Sequence, residues 1–390
     1  TVADPASVGM SSEGLARVDS IIRAGLDDSA FSGATVAIGR HGRLVKLDAY
    51  GELAYGSGRP TTTTSIWDMA SVSKVVGTTT AAMMLVGDGA LDLDAPVVQY
   101  LPWWSRGDER KNQITVRQLL IHRTGLPPFR RWFFDHEGLE AYKNAAADEP
   151  LDMDPGLETI YSDIGIMTLA WVIEEVSGQT LDALLQERLW DPLGMAETRY
   201  RPDASLKPRI AATEVDTLWR DELVWGRVHD ENADAMGGVA GHAGLFSTAV
   251  DLSVFAQMML NGGESPACQP GDDAGVPCPL GRGIAQQIVD PGVLSMFTTR
   301  FDETSTRGLG WDTPGERSSG GDYVTSSAFG HTGYTGTSIW MDPELDVWVI
   351  LLTNRVHPSR ENSKHVPLRR AVADAALLAI TDQPVRKRTP

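Results

Sequence analysis

Cysteine is nearly absent from these 390 residues: there are two, Cys268 and Cys278, beside eight histidines. Two thiols cannot build a four-cysteine zinc or iron–sulfur centre, and no histidine pair shows the short helical spacing of a zinc motif. His122, His229 and His242 therefore read as structural or loop residues, and neither a metal nor a cofactor is expected. Basic residues are also few. With 34 Lys and Arg against 52 Asp and Glu, the formal charge is −18. Nucleic acid and anionic membrane surfaces both need concentrated positive charge, so neither is an expected partner. The one basic cluster, Arg386-Lys387-Arg388, is short and reads as a solvated tail. No apolar run reaches the roughly 18 residues that cross a bilayer, so no transmembrane segment is expected.

The chain is long enough to bury a large core, and two lobes are expected. Cys268 and Cys278 sit in a Pro/Gly-rich stretch from Glu264 onward that has neither helical nor strand period. A disulfide between them, closing a small surface loop, would add up to about 3 kcal/mol. Such a bridge implies an oxidising compartment, hence a periplasmic or secreted protein. A start at Thr1, without Met, fits the removal of a leader.

Strand signals cluster at the two ends. Thr35 to Gly39 and Arg43 to Asp48 read as a hairpin turning through His41-Gly42. Ser338 to Met341 and Val347 to Leu352 flank a second turn at Asp342 to Asp346. Helical patterns fill the middle. Thr115-x-x-Gln118 is a capping box with Gly125 as the stop, Ile164 to Ser177 ends at Gly178, and Thr248-x-x-Asp251 opens another helix. Ala371 to Ile380 reads as a terminal helix. Strands from both termini around a helical insert argue for an α/β (α+β) fold: an antiparallel sheet flanked by helices, plus an all-helical lobe. The expected division is a discontinuous sheet domain, residues 1–70 and 295–390, and a mainly helical domain, residues 71–294. No G-x-S-x-G is present, so the nucleophile elbow of α/β-hydrolases is not available.

The chemistry concentrates at Ser71-Val72-Ser73-Lys74. If a helix begins near Ser71, positions three apart share a face, and the Lys74 amine reaches the Ser71 hydroxyl. A serine attacks a carbonyl only when a neighbour takes its proton. Two further segments carry polar groups of the same kind: Tyr161-Ser162-Asp163 and His331-Thr332-Gly333. A nearby ammonium favours the ionised form of a phenol. Which of Lys74 and Tyr161 takes the serine proton stays open at this level.

In order and separation these segments resemble the S-x-x-K, Y-x-N and K/H-T-G elements of penicillin-recognising serine hydrolases. The tyrosine places the resemblance with class C β-lactamases, a branch that includes D-alanyl-D-alanine peptidases, D-aminopeptidases and family VIII esterases. Phe31 to Arg40, Ile114 to Leu126 and the Gly241 to Thr248 loop are similar to further elements of that family, so the resemblance covers nearly the whole chain. It implies a β-lactamase/transpeptidase-like fold, with Ser71 as nucleophile, Lys74 and Tyr161 as its catalytic partners and His331 beside them. It further implies an oxyanion hole from the backbone N–H groups of Ser71 and Tyr334, and substrate binding by Asp163, Thr332 and Gly333.

Two departures shape the expected substrate. Asp163 stands where the family usually has Asn, and an ionised Asp only accepts hydrogen bonds. It either holds a peptide amide less well or pairs with Lys74. His331 replaces the lysine of many β-lactamases, and a histidine is mostly neutral at pH 7. The leading expectation is a carboxylic-ester hydrolase for short acyl groups, working through a covalent acyl-enzyme, with weak or no β-lactamase activity. The alternatives are a D-alanyl-D-alanine carboxypeptidase or other D-peptidase, a β-lactamase, and a penicillin-binding sensor that stays acylated. The expected partner is thus a small ester, peptide or β-lactam substrate. The Trp103-Trp104 and Trp132-Phe133-Phe134 clusters suit the acyl side of the cleft and core packing equally, and both stay open.

Overall fold

Strands from the two ends of the chain share one sheet. In the computed structural model, which describes residues 2–266 and 285–388, β1 (Gly33–Arg40) and β2 (Arg43–Gly51) form the N-terminal hairpin. Its two-residue turn requires left-handed backbone, and His41 and Gly42 supply it at φ 51° and 72°. β3 (Phe329–Thr332), β4 (Ser338–Asp342) and β5 (Val347–Thr353) follow from the C-terminal part. The order is β2-β1-β5-β4-β3, and every neighbouring pair is antiparallel. Val36 lies opposite Leu351 in the centre, whereas His331 lies opposite Ile339 on the edge strand.

Alternate side chains point to opposite faces, and here both faces are apolar, so both are covered. Val36, Ile38, Val347, Val349 and Leu351 pack with Leu15, Val18 and Ile22 of α1 (Ser12–Asp27). Ala37, Trp348, Ile350 and Leu352, one step out of phase, join the larger core that runs into the helical part of the molecule. There α2 (Thr80–Gly87), α3 (Val116–Leu120) and α4 (Asp163–Ser177) pack, and α5 (Ala249–Leu260) lies across the sheet. The C-terminal α6 (His365–Leu378) covers the first face beside α1.

Local signals place most helix ends. Thr115 and Gln118 make the reciprocal capping box, Ser162 caps α4 through the Gly165 N–H, and Gly178 ends it at φ 68°. Several expectations need correction. α3 stops at Leu120 rather than Gly125, because His122 turns left-handed at φ 57° to present its ring to the Ser162 N–H. α6 starts earlier than expected; its Pro367 sits in the first turn, where a missing N–H costs nothing. The middle of the chain also holds a small sheet of Trp67–Asp68, Leu245–Ser247 and Arg199–Tyr200, strands too short to show a period. The basic tail is docked only in part: Arg386 and Lys387 are exposed as expected, Lys387 pairing with Asp322 at the surface, whereas the Arg388 guanidinium donates to the Gly315 carbonyl at 2.7 Å. Trp104, Trp132 and Phe133 are core residues. The expected Cys268–Cys278 bridge lies outside the described residues.

Candidate active site

Ser71 is held at the end of a clamped segment. The strand Trp67–Asp68 leads into Ala70, a residue with left-handed φ of 45°. Such backbone is costly for a side chain larger than hydrogen and persists only where neighbours enforce it. They do: the Ala70 N–H donates to Asp68 Oδ1, and the Thr335 and Thr337 hydroxyls donate to the Asp68 and Met69 carbonyls. The chain then enters a wide π-type segment, Lys74–Thr79, that runs into α2.

Lys74 is 1 % exposed. Its Nζ donates to Ser71 Oγ at 2.8 Å and to the His242 carbonyl at 2.9 Å. Asp163 Oδ1, from the first turn of α4, approaches it at 2.7 Å as a charge contact. Burial works against the Lys74 charge, yet the Asp163 carboxylate and the adjacent Tyr161 outweigh it and hold the ammonium above the ordinary lysine range. Tyr161 lies over the same amine, ring centroid 4.9 Å from Nζ, and its buried Oη has no well-formed hydrogen bond within the described structure.

His331 reaches this cluster from the edge strand, with its ring 6.0 Å from that of Tyr161. Nδ1 faces the Thr332 carbonyl at 2.9 Å and Nε2 faces Arg307 at 3.4 Å. Burial, then the Arg307 charge, keeps the imidazole neutral well below the usual histidine range. His122 is treated the same way, again by burial first and Arg307 second. Thr332, Gly333 and Tyr334 line the open side next to Ser71. Gly333 is required there: a Cβ would stand 2.1 Å from Thr337 Oγ1 and 2.5 Å from the Met69 carbonyl. Among the described residues, no hydrogen bond takes the backbone N–H of Ser71 or of Tyr334.

The structure therefore gathers Ser71, Lys74, Tyr161 and Asp163 into direct contact, with His331, Thr332, Gly333 and Tyr334 along the rim. It also adds residues without a sequence signal. A groove of about 380 Å³ beside Ser71 is lined by Arg307, Arg355 and Arg369, and by no acid. Arg369 is nine-tenths buried with an unpartnered Nε; burial and the neighbouring Arg355 bring it down to about 10. Phe129, rather than the tryptophan clusters, walls the opposite hollow.

A sequence profile of the beta-lactamase family matches residues 18–374. The chain belongs to the beta-lactamase family. A Salmonella typhimurium protein named "Putative D-alanyl-D-alanine carboxypeptidase" is 30% identical, over 94% of this chain and 88% of its own length. Two solved structures share the fold. EstCE1, titled a hydrolase with promiscuous acyltransferase activity, has a TM-score of 0.71 at 23% identity, covering 93% of this chain and 98% of its own. A penicillin-binding protein homologue from Caulobacter crescentus has a TM-score of 0.70 at 19% identity, over 95% and 99%. Within this family the chain is a serine hydrolase, and no described helix is long and apolar enough to cross a membrane.

Proposed function

We propose that this chain is a carboxypeptidase of the D-alanyl-D-alanine type, releasing a C-terminal residue through an ester formed on Ser71. Ser71 Oγ attacks the scissile carbonyl carbon while its proton passes to Tyr161 Oη, a step that requires Tyr161 to enter as the phenolate and leaves it as the phenol. The tetrahedral oxyanion sits between the Ser71 and Tyr334 N–H groups, each such donor contributing about 3 kcal/mol. Collapse breaks the C–N bond, and Tyr161 returns the proton to the leaving amine. Water then attacks the ester carbonyl, transfers a proton to Ser71 Oγ and leaves the free acid. Tyr161 is chosen over Lys74 as base because an ammonium paired with a carboxylate has no lone pair to receive a proton. Lys74 instead positions Ser71 Oγ and offsets developing charge.

One observation carries the substrate class: Arg307 and Arg369 line the groove beside Ser71 with no acid among its walls. Buried guanidinium groups without a counter-ion are costly. A carboxylate on the leaving group supplies what they lack, and arginine holds carboxylates well. The name borne by the Salmonella relatives points the same way. A cell-wall peptide of this kind fits an extracytoplasmic place of action, periplasmic or secreted.

A second reading, hydrolysis of short esters, is favoured by Asp163. Engaged with Lys74, it offers a peptide amide no donor. One panel separates the readings: an N-acyl-D-Ala-D-Ala peptide, p-nitrophenyl butyrate and nitrocefin, each with wild type and Ser71→Ala. Ser71-dependent release of D-Ala supports the carboxypeptidase. Turnover of the ester alone transfers the proposal to the esterase. A lasting adduct on Ser71 after a β-lactam pulse, with no turnover, replaces both with a sensor.

A further inference from the structure

Ser71 stands between two hollows of opposite charge. The groove on the Thr332–Gly333 side presents arginines; the cavity on the other side, about 320 Å³, presents Asp163, Asp230 and Glu231, with Arg360 as the one guanidinium among its lining residues and Phe129 along a wall. The acids outnumber the fixed cations. Lys74 is taken by Asp163. Arg360 is shared by Glu231 at 2.6 Å and by Glu214, immediately behind, at 2.5 Å. Asp230 pairs with no lysine or arginine among the described residues. Its Oδ1 receives the Ala233 N–H and His242 Nε2, each at 2.8 Å, and its side chain keeps 21 % of its exposure. Although burial opposes ionisation, the His242 and Lys74 contacts hold this carboxyl below the usual range.

The imidazole of His242 adds an independent sign. Its side chain is 1 % exposed, and it lines the cavity. Its Nε2 faces Asp230 at 2.8 Å, and no group in the described structure meets its buried Nδ1, which is a lone-pair acceptor whenever the ring is neutral and donates from Nε2. Both unfilled positions therefore call for a hydrogen-bond donor, and the surplus charge calls for a positive one. A metal ion is the poorer match: among the described residues, no three His, Cys, Asp or Glu side chains converge as a ligand shell. An ammonium group suits the site, since it donates three hydrogen bonds and packs against an aromatic face such as Phe129.

We infer that this cavity is an ammonium subsite on the acyl side of the substrate, in which Asp230, Glu231 and His242 Nδ1 receive an amino group. Together with the arginine groove, it selects a zwitterionic substrate: a short peptide with a free amine ahead of the scissile bond and a carboxylate after it. The ammonium subsite itself rests on acylation of Ser71; the carboxylate half of the selection rests on the carboxypeptidase reading.

Four p-nitrophenyl esters test it without any leaving-group carboxylate. D-Alanyl is compared with isobutanoyl, and β-alanyl with butanoyl; each pair is alike in shape and differs by the ammonium. Each kcat/KM is divided by the ester's spontaneous hydrolysis rate. The expected result is a preference of about ten-fold or more for at least one aminoacyl ester, falling toward one in Asp230→Asn and in Glu231→Gln. Which pair shows it locates the amine on the α or the β carbon. Competitive inhibition of isobutanoyl-ester turnover by ethylammonium, but not by ethanol, gives a supporting readout in wild-type protein. Equal or lower values for both aminoacyl esters in wild type, or a preference that survives both substitutions, overturn the subsite. If no ester shows Ser71-dependent turnover, the acyl-enzyme reading falls and this subsite with it.

Discussion

Lys74 and Asp163 stand 2.7 Å apart, amine to carboxylate, with Lys74 at 2 % side-chain exposure and Asp163 at 19 %. The pair explains what an aspartate does at this place: it keeps a buried ammonium charged. Asp163→Asn is therefore not a benign return to the commoner family residue. Removing one partner of a buried pair costs about 3 kcal/mol or more, so thermal unfolding at pH 7 is expected at a clearly lower temperature. The raised Lys74 value means its contribution is complete below the ordinary lysine range and is lost as pH climbs past it. In the variant this alkaline loss shrinks or disappears from the melting curves, while any limb of kcat/KM that depends on the Lys74 ammonium moves to lower pH. An unchanged melting temperature and alkaline limb would show that the pair does not operate.

Tyr161→Phe separates chemistry from stability. The buried Tyr161 hydroxyl has no well-formed hydrogen bond, so deleting it removes a poorly satisfied group and, beside Asp163, only the lesser of the two supports of the Lys74 charge. The melting temperature is expected to hold or rise. If Tyr161 transfers the proton, kcat/KM for an activated ester falls by about 10²–10⁴. A stable variant with wild-type turnover would hand the base role back to Lys74.

How far the sequence reveals this molecule depends on whether a feature is local. The hairpin at His41-Gly42 and the capping box at Thr115 are written within a few residues, and both elements form there. The approach of Lys74 to Ser71 is a one-turn relationship and equally readable. Arg307, Arg369, Asp230 and His242 are different. Each is an ordinary polar residue in a loop or on a helix, and its significance arises only because distant segments bring it to a hollow beside Ser71, Arg369 and His242 each with a buried nitrogen left unpartnered. Trp104 and Trp132 were undecided for another reason: large aromatic rings suit a cleft wall and a core equally, and packing against the helices places them in the core.

The arginine groove gives a prediction about discrimination. Arg307→Met and Arg369→Met remove guanidinium charge while keeping much of the side-chain volume. For a D-Ala-D-Ala peptide, each substitution is expected to lower kcat/KM by about 10–100-fold, the loss of a charge-assisted hydrogen bond worth about 1.5–3 kcal/mol. Butanoyl-ester turnover lacks the carboxylate and should fall far less, so the peptide-to-ester ratio is the decisive quantity. Equal losses on both substrates would mean that the arginines serve folding rather than recognition. Arg307 touches the Tyr161 ring and His331, and therefore the ratio is more informative than either rate alone.

Acid stability provides a check that needs no substrate. His122 and His331 are held neutral far below the ordinary histidine range, and His365 is pushed down to about 3, in each case chiefly by burial. The unfolded chain protonates these rings near pH 6.5 while the folded chain does not. As pH falls below that value, each such histidine draws the equilibrium toward unfolding by up to about 1.4 kcal/mol per pH unit. Glu214, lowered to about 2, adds to the loss once pH drops below the usual glutamate range. Asp251, raised to about 6, works in the opposite direction between roughly pH 4 and 6, and Asp68, Glu174, Asp342 and Asp374, all raised by burial, act with it. Melting curves are thus expected to show a steep loss of stability from pH 6.5 to 5, before most carboxylates titrate. His365→Gln, which removes one of these rings from the wall of the arginine groove without touching His122 or His331, should make that slope shallower; a flat profile across this interval would contradict the buried neutral state of these imidazoles.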